Sequence, residues 1–310
     1  MDLLREGIDT LTLPSGRILA WKVYGGSLNE ESTALPDVVF YFHGFPGCSS
    51  EASLIPTELL QESNLRCIAP DRPGMNMSTD YDERRILDWP GDVLAIADHL
   101  HISRFFVLGV SGGGPYALAC AHSISRDRLQ GVAVVSGMYP TTFNMEGMLP
   151  ELKVLLTAGA WMPRFATGAM LDLSMGRAAR NKDPRVLEAA VDKAMAGRPE
   201  AERMVWKDER VRFAAIQSVR GAFQQGGRPS ATELMILCDW GFQVQDISGE
   251  GIRLWHGKLD RNVPFCMAEQ AARLMSEAQT HFFEDDGHLS LSANHISEII
   301  ADLITPSVRQ

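Results

Sequence analysis

The chain has 310 residues, 45% apolar and 22% charged, with a mean hydropathy of −0.07. That composition supports a full hydrophobic core and excludes a fibrous protein or one with long disordered tracts. Twenty-nine basic against 39 acidic side chains leave a net charge of −10, which excludes the basic footprint of a nucleic-acid binder.

Residues 1–6 have neither a basic start nor an apolar stretch, so no secretory leader is expected. Strands are predicted at 17–24 and 37–42, a helix at 51–61, a strand at 66–69 and a helix at 89–100. A strand at 104–110, a helix at 114–122 and a strand at 131–135 follow. Strands alternating with helices imply a parallel sheet with helices on its faces. The runs Val38 to Phe42 and Phe105 to Leu108 are apolar without alternation, as strands buried on both sides should be.

Past Pro140 the pattern changes. Residues 139–235 have helical periodicity and no strand, and they carry 14 basic against 11 acidic side chains and eight of the 14 methionines. Methionine suits adaptable apolar surfaces, so the segment reads either as helix-core packing or as an apolar lid over a pocket. Alternation returns with a strand at 252–255, a helix at 266–276, a strand at 280–283 and a helix at 293–303. The expected organisation is therefore an α/β core from 1–138 and 236–310, interrupted by a helical insertion at 139–235. No run of about 18 uncharged apolar residues occurs, so no spanning helix is predicted. The five cysteines are widely spaced without a C-x-x-C pair, a pattern that predicts a reducing, cytoplasmic setting and no zinc cluster.

Gly109-Val110-Ser111-Gly112-Gly113 fits G-x-S-x-G between a predicted strand and a predicted helix. A serine there sits on a sharp turn that lifts its hydroxyl above the sheet edge and aims a helix N-terminus at it. The flanking glycines allow the close chain approach that such a turn needs. The bland alternative is a glycine-rich turn with a capping serine. His43-Gly44-Phe45-Pro46-Gly47 follows another strand, where backbone N–H groups can face a pocket. The N–H groups of Phe45 and Gly112 are the expected oxyanion donors, each worth about 3–4 kcal/mol of barrier in acyl transfer.

A serine nucleophile needs an imidazole base, and that base needs an orienting carboxylate on loops after later strands. His288, in Gly287-His288-Leu289-Ser290, and Asp260, in Gly257-Lys258-Leu259-Asp260, meet this requirement. His43 is expected to order its own loop. His99, His101 and His122 lie at helix ends, His256 precedes the Asp260 loop, His281 is inside a strand and His295 is in the last helix, places where packing or surface histidines are usual. Glu284, Asp285 and Asp286 are nearer in sequence to His288, but they precede it on its own loop and would reach back to its ring awkwardly.

Together, His43 to Gly47, Asp71-Arg72-Pro73-Gly74, Gly109 to Gly113, Asp260 and Gly287-His288 resemble the α/β-hydrolase fold family over about residues 16–305. Its capped members similar to prolyl iminopeptidases and epoxide hydrolases look nearest. The resemblance implies a mostly parallel eight-stranded sheet, helices on both faces, and a helical cap inserted after the sixth strand. Ser111 stands where epoxide hydrolases and haloalkane dehalogenases place aspartate. Phe45 stands where iminopeptidases usually have a second glycine, and the cap is net positive, which disfavours amine recognition. Asn76 replaces a frequent glycine but also tolerates positive φ.

The expected function is a serine hydrolase of a small, fairly apolar ester, amide or thioester through an acyl-enzyme, with no cofactor and no metal. Acyl transfer or C–C hydrolysis would use the same groups. An iminopeptidase-like peptidase and a non-catalytic receptor are further alternatives. Trp161, Met162 and Phe165, with Phe143 and Trp206, are the expected apolar substrate contacts. The expected partner is a small molecule, with neither nucleic acid nor membrane, and the sequence carries no signal for oligomeric state.

Overall fold

The computed structural model describes residues 7–25, 36–159 and 161–305; residues 1–6, on which the leader expectation rests, lie outside them. In chain order the first half runs β1 (Ile8–Thr12), β2 (Ile18–Gly25), β3 (Asp37–Phe42), α1 (Thr57–Glu62), β4 (Leu65–Asp71), α2 (Trp89–His99), β5 (Phe105–Val110), α3 (Gly114–Ser123) and β6 (Leu129–Val135). Seven helices follow: α4 (Pro150–Gly159), α5 (Arg164–Leu171), α6 (Arg177–Ala179), α7 (Pro184–Ala196), α8 (Glu200–Val205), α9 (Glu209–Ala222) and α10 (Arg228–Cys238). The chain ends β7 (Ile252–Gly257), α11 (Phe265–Leu274), β8 (Gln279–Phe283) and α12 (His288–Ile304).

The eight strands form one sheet in the order β1-β2-β4-β3-β5-β6-β7-β8. β1 and β2 pair antiparallel with each other, and β2 pairs antiparallel with β4; every later pairing is parallel. Period-two alternation splits the core between the two faces. Phe40 and Phe42 of β3 point into one cluster with Trp89 and Val93 of α2 and Tyr116 of α3. Val39 and Tyr41 point into the other with Leu60 of α1 and Ile299 and Ile300 of α12. Burying β3 on both faces requires its unbroken apolar run.

Several expectations need correction. β1 was not anticipated; its alternating Ile8-Asp9-Thr10-Leu11-Thr12 is short, half exposed and at the sheet edge. The single helix expected at 51–61 is a 3₁₀ turn, Ser49–Leu54, followed by α1. Pro56, with ψ of 137°, separates them, since proline cannot donate into a continuing helix. α12 begins at His288, five residues before the expected start.

Candidate active site

Four loops converge at the C-terminal edge of the parallel strands, after β3, β5, β7 and β8. β5 delivers Ser111. Its φ is +52°, a left-handed value that costs a non-glycine residue about 1–3 kcal/mol. Two glycines make the turn possible. A Cβ on Gly113 would stand 2.1 Å from the Phe42 carbonyl oxygen, and one on Gly109 would stand 2.5 Å from the Gly113 carbonyl oxygen. A 3₁₀ turn over Ser111–Gly113 leads directly into α3, whose N-terminus adds positive potential beside the hydroxyl.

The three groups expected to act together meet in a chain. His288 Nε2 lies 2.9 Å from Ser111 Oγ, and His288 Nδ1 lies 2.7 Å from Asp260 Oδ2. Asp260 is buried, and its second oxygen accepts the N–H groups of Asn262 (2.8 Å) and Val263 (2.9 Å). Those bonds hold the carboxylate plane so that Oδ2 is left for the imidazole. Burial pushes the His288 pKa down, but the Asp260 charge, its hydrogen bond and the Glu202 charge outweigh that and hold it above the ordinary imidazole value. The neighbouring acids are occupied elsewhere: Asp286 accepts from Asn294 and pairs with His295, and Glu284 pairs with Lys258.

The two expected oxyanion donors adjoin each other. A Cβ on Gly112 would stand 3.1 Å from the Phe45 nitrogen. Arg72 sets the orientation of the Phe45 amide. Its Nη1 donates to the His43 carbonyl (2.6 Å) and its Nη2 to the Gly44 carbonyl (2.7 Å). The Gly44 C=O and the Phe45 N–H belong to one planar trans peptide, so drawing the carbonyl toward Arg72 turns the N–H the opposite way. Glu51 braces the same loop by accepting the Gly44 N–H at 2.8 Å. His43 is fully buried, with Nδ1 2.9 Å from the Gly44 carbonyl; burial and the Arg72 charge hold its pKa well below the usual imidazole range.

A family model described as the alpha/beta hydrolase family matches residues 39–300. The chain belongs to that family. No curated protein sequence matches it. Solved structures of the same fold include an enol-lactonase from Burkholderia xenovorans LB400, 20% identical with a TM-score of 0.64, over 96% of this chain and 100% of that one. A thermophilic esterase from Thermogutta terrifontis is 18% identical, with a TM-score of 0.62 over 95% and 97% of the two chains. Esterase RhEst1 from Rhodococcus sp. ECU1013 is 17% identical, with a TM-score of 0.62 over 97% and 100%. The resemblance drawn from the five sequence motifs is thus borne out at the level of family and fold.

In this α/β hydrolase two cavities flank Ser111 and His288. One, of about 190 Å³, is partly polar and includes Glu51 and Ser218. The other, of about 310 Å³, is walled chiefly by Met138, Met148, Leu155, Leu156, Met175 and Met267. The expected contacts Trp161, Met162 and Phe165 line neither cavity, and Trp161 and Phe165 are 90% and 78% exposed. α4 gives the cavity its Leu152-Leu155-Leu156 face instead, and the aromatics after it turn outward. Phe143 stacks on Tyr139, and Trp206 donates to Asp192 at 2.9 Å; neither lines the cavities.

Two buried acids, Glu202 and Glu233, escaped sequence reasoning, and the place of His256 beside Asp260 was not foreseen. Glu202 of α8 is buried, and its carboxylate accepts the N–H groups of Leu289 (3.0 Å) and Ser290 (3.3 Å) at the start of α12. Glu233 of α10 binds Arg72 Nε (2.7 Å), Arg84 (2.9 Å) and the Tyr116 hydroxyl (2.9 Å). His256 lies 3.5 Å from Asp260 Oδ2 and 2.8 Å from the Val263 carbonyl, and burial lowers its pKa. Among the described residues no cluster of three metal-ligating side chains occurs, and no helix is long and apolar enough to cross a membrane.

Proposed function

We propose that this α/β hydrolase is a serine hydrolase that cleaves the carboxylic ester, or a related amide or thioester, of a small apolar substrate through an acyl-enzyme. The observation that carries this reading is the unbroken relay from Ser111 Oγ through the His288 ring to buried Asp260.

Ser111 Oγ attacks the carbonyl carbon while His288 Nε2 takes the hydroxyl proton. The oxyanion accepts the N–H groups of Phe45 and Gly112. Collapse of the tetrahedral intermediate breaks the bond to the leaving group, and His288 returns its proton to that group. Water then attacks the acyl-enzyme while His288 takes its proton; the bond from the acyl carbon to Ser111 Oγ breaks, His288 returns that proton to Oγ, and the acid product leaves. Asp260 keeps the imidazole in the tautomer with Nε2 free and stabilises its cation without being protonated. The helical segment 139–235 serves in this reading as a cap that covers the nucleophile and keeps water out of the larger cavity.

A fluorophosphonate probe tests the nucleophile. Wild type should be labelled and Ser111→Ala should not, with p-nitrophenyl ester turnover falling by about 10⁴-fold or more. Equal labelling of both proteins would remove Ser111 from the reaction.

A further inference from the structure

The larger cavity beside Ser111 has walls of methionine and leucine, yet among the described residues it is lined by one permanently charged side chain. That side chain is Arg198, in the turn between α7 and α8. Its amide is fixed to the Met195 carbonyl at 3.0 Å. Its Nη1 donates to Asn262 Oδ1, and the Asn262 amide in turn donates to Asp260. Among the described residues Arg198 enters no ion pair. Of the five N–H donors of the guanidinium, four have no protein acceptor among the described residues. None of its nitrogens is sealed away from solvent without a partner.

This placement has an electrostatic disadvantage for the empty site. The reaction turns His288 into a cation, and the Arg198 charge opposes that, since it pushes the imidazole pKa down. That opposition is smaller than the help from the Asp260 and Glu202 charges, and solvent reaching the guanidinium weakens it, but it still works against the base. A negative group brought by the substrate removes the opposition and fills the free donors. One guanidinium balances one negative charge, and its planar fork matches a carboxylate. A dianionic phosphate would leave one charge uncompensated in an apolar cavity.

We propose that the substrate is an apolar ester carrying a single carboxylate, that Arg198 binds this carboxylate, and that Asn262 holds the guanidinium in place. The proposal deepens the hydrolase reading and rests on Ser111 as the nucleophile. Selectivity then comes from the charge match, while the methionine and leucine walls accept varied carbon skeletons.

The test compares matched esters. On the acyl side the pair is mono-p-nitrophenyl adipate and p-nitrophenyl hexanoate. On the alcohol side it is 4-acetoxybenzoate and phenyl acetate. Wild type should favour the carboxylated member of one pair in kcat/KM by roughly 10–100-fold. Arg198→Met should erase that preference while leaving the neutral ester as good or better, and Arg198→Lys should keep part of it. Absence of preference in both pairs overturns the proposal. So does an equal fall for charged and neutral esters in Arg198→Met, which would make Arg198 only a tether for the Asn262 loop. Binding is read separately by calorimetry on Ser111→Ala with monomethyl adipate against dimethyl adipate. Tighter binding of the acid, lost in Ser111→Ala/Arg198→Met, supports the carboxylate site even if neither ester pair is turned over. Equal binding of the two ligands overturns it. Arg198→Gln, checked by circular dichroism, replaces the methionine variant if that one does not fold.

Discussion

Ser111 holds a backbone angle that few serines adopt, and His288 holds its pKa above the ordinary imidazole value in spite of burial. Both follow from close neighbours. The elbow is held by Gly109 and Gly113, whose missing side chains let β3, β5 and α3 touch. The imidazole is held by Asp260, whose charge and hydrogen bond, with the Glu202 charge, together outweigh desolvation. A base works only when neutral, so a raised pKa moves the acid limb of kcat/KM upward. That limb should lie above the ordinary imidazole value of about 6.5. In Asp260→Asn it should move below that value, and kcat should fall by about 10⁴-fold because the wrong tautomer is favoured. Both are read from one pH–rate series; an unmoved limb in Asp260→Asn would separate Asp260 from the base. Glycine, serine, aspartate and histidine at these positions were legible in the sequence because each lies in a short local pattern next to a strand. The role of His256 was not, because its distance to Asp260 depends on how the β7 loop folds back.

At the level of elements, α12 starts with His288, the proposed base. Gly287 precedes it and has no side chain to cap the helix, so the first amides need acceptors from elsewhere. Glu202 supplies them from α8, 87 positions away from Leu289. No sequence window contains both partners, which is why the helix was expected to begin later and Glu202 was passed over. Its carboxylate also helps to hold the His288 pKa up. Glu202 is thus a positioning residue. Glu202→Ala should cost about 1–2 kcal/mol of stability, as loss of a helix cap does, and should lower kcat more than it changes KM. Glu202→Gln keeps an acceptor and should keep the fold, but should shift the acid limb of the pH profile downward. Chemical denaturation and the pH series together distinguish the two effects.

Across the whole molecule, the helices between β6 and β7 are tied to the sheet by buried polar groups as well as by apolar packing. Arg72, Arg84, Tyr116 and Glu233 form one such tie, with Arg72 and Glu233 fully buried. Removing one member strands the others. Glu233→Leu should destabilise the protein by about 3–5 kcal/mol in urea unfolding. It should also reduce kcat, because Arg72 fixes the carbonyls that aim the Phe45 amide. The alternation of strands and helices was enough to place the parallel part of the sheet, whereas the expected boundary of the helical segment at 235 falls inside α10 (Arg228–Cys238). The inward faces of that segment were not legible, since exposed Trp161 and Phe165 and cavity-lining Leu152 and Leu155 are all apolar letters within one amphipathic stretch.

The Glu202 anchor also limits what can be exchanged between relatives. A helical segment transplanted from another member to change substrate preference must bring an acceptor to the first turn of α12, a hydroxyl to Glu51 and Cys48 as Ser218 now offers, and an acid between the two buried arginines. A chimera that lacks the first of these loses the alignment of its imidazole before any new side chain can meet a new ligand. Exchange at the cavity walls alone, leaving those three footholds untouched, is the route by which specificity can drift in this scaffold.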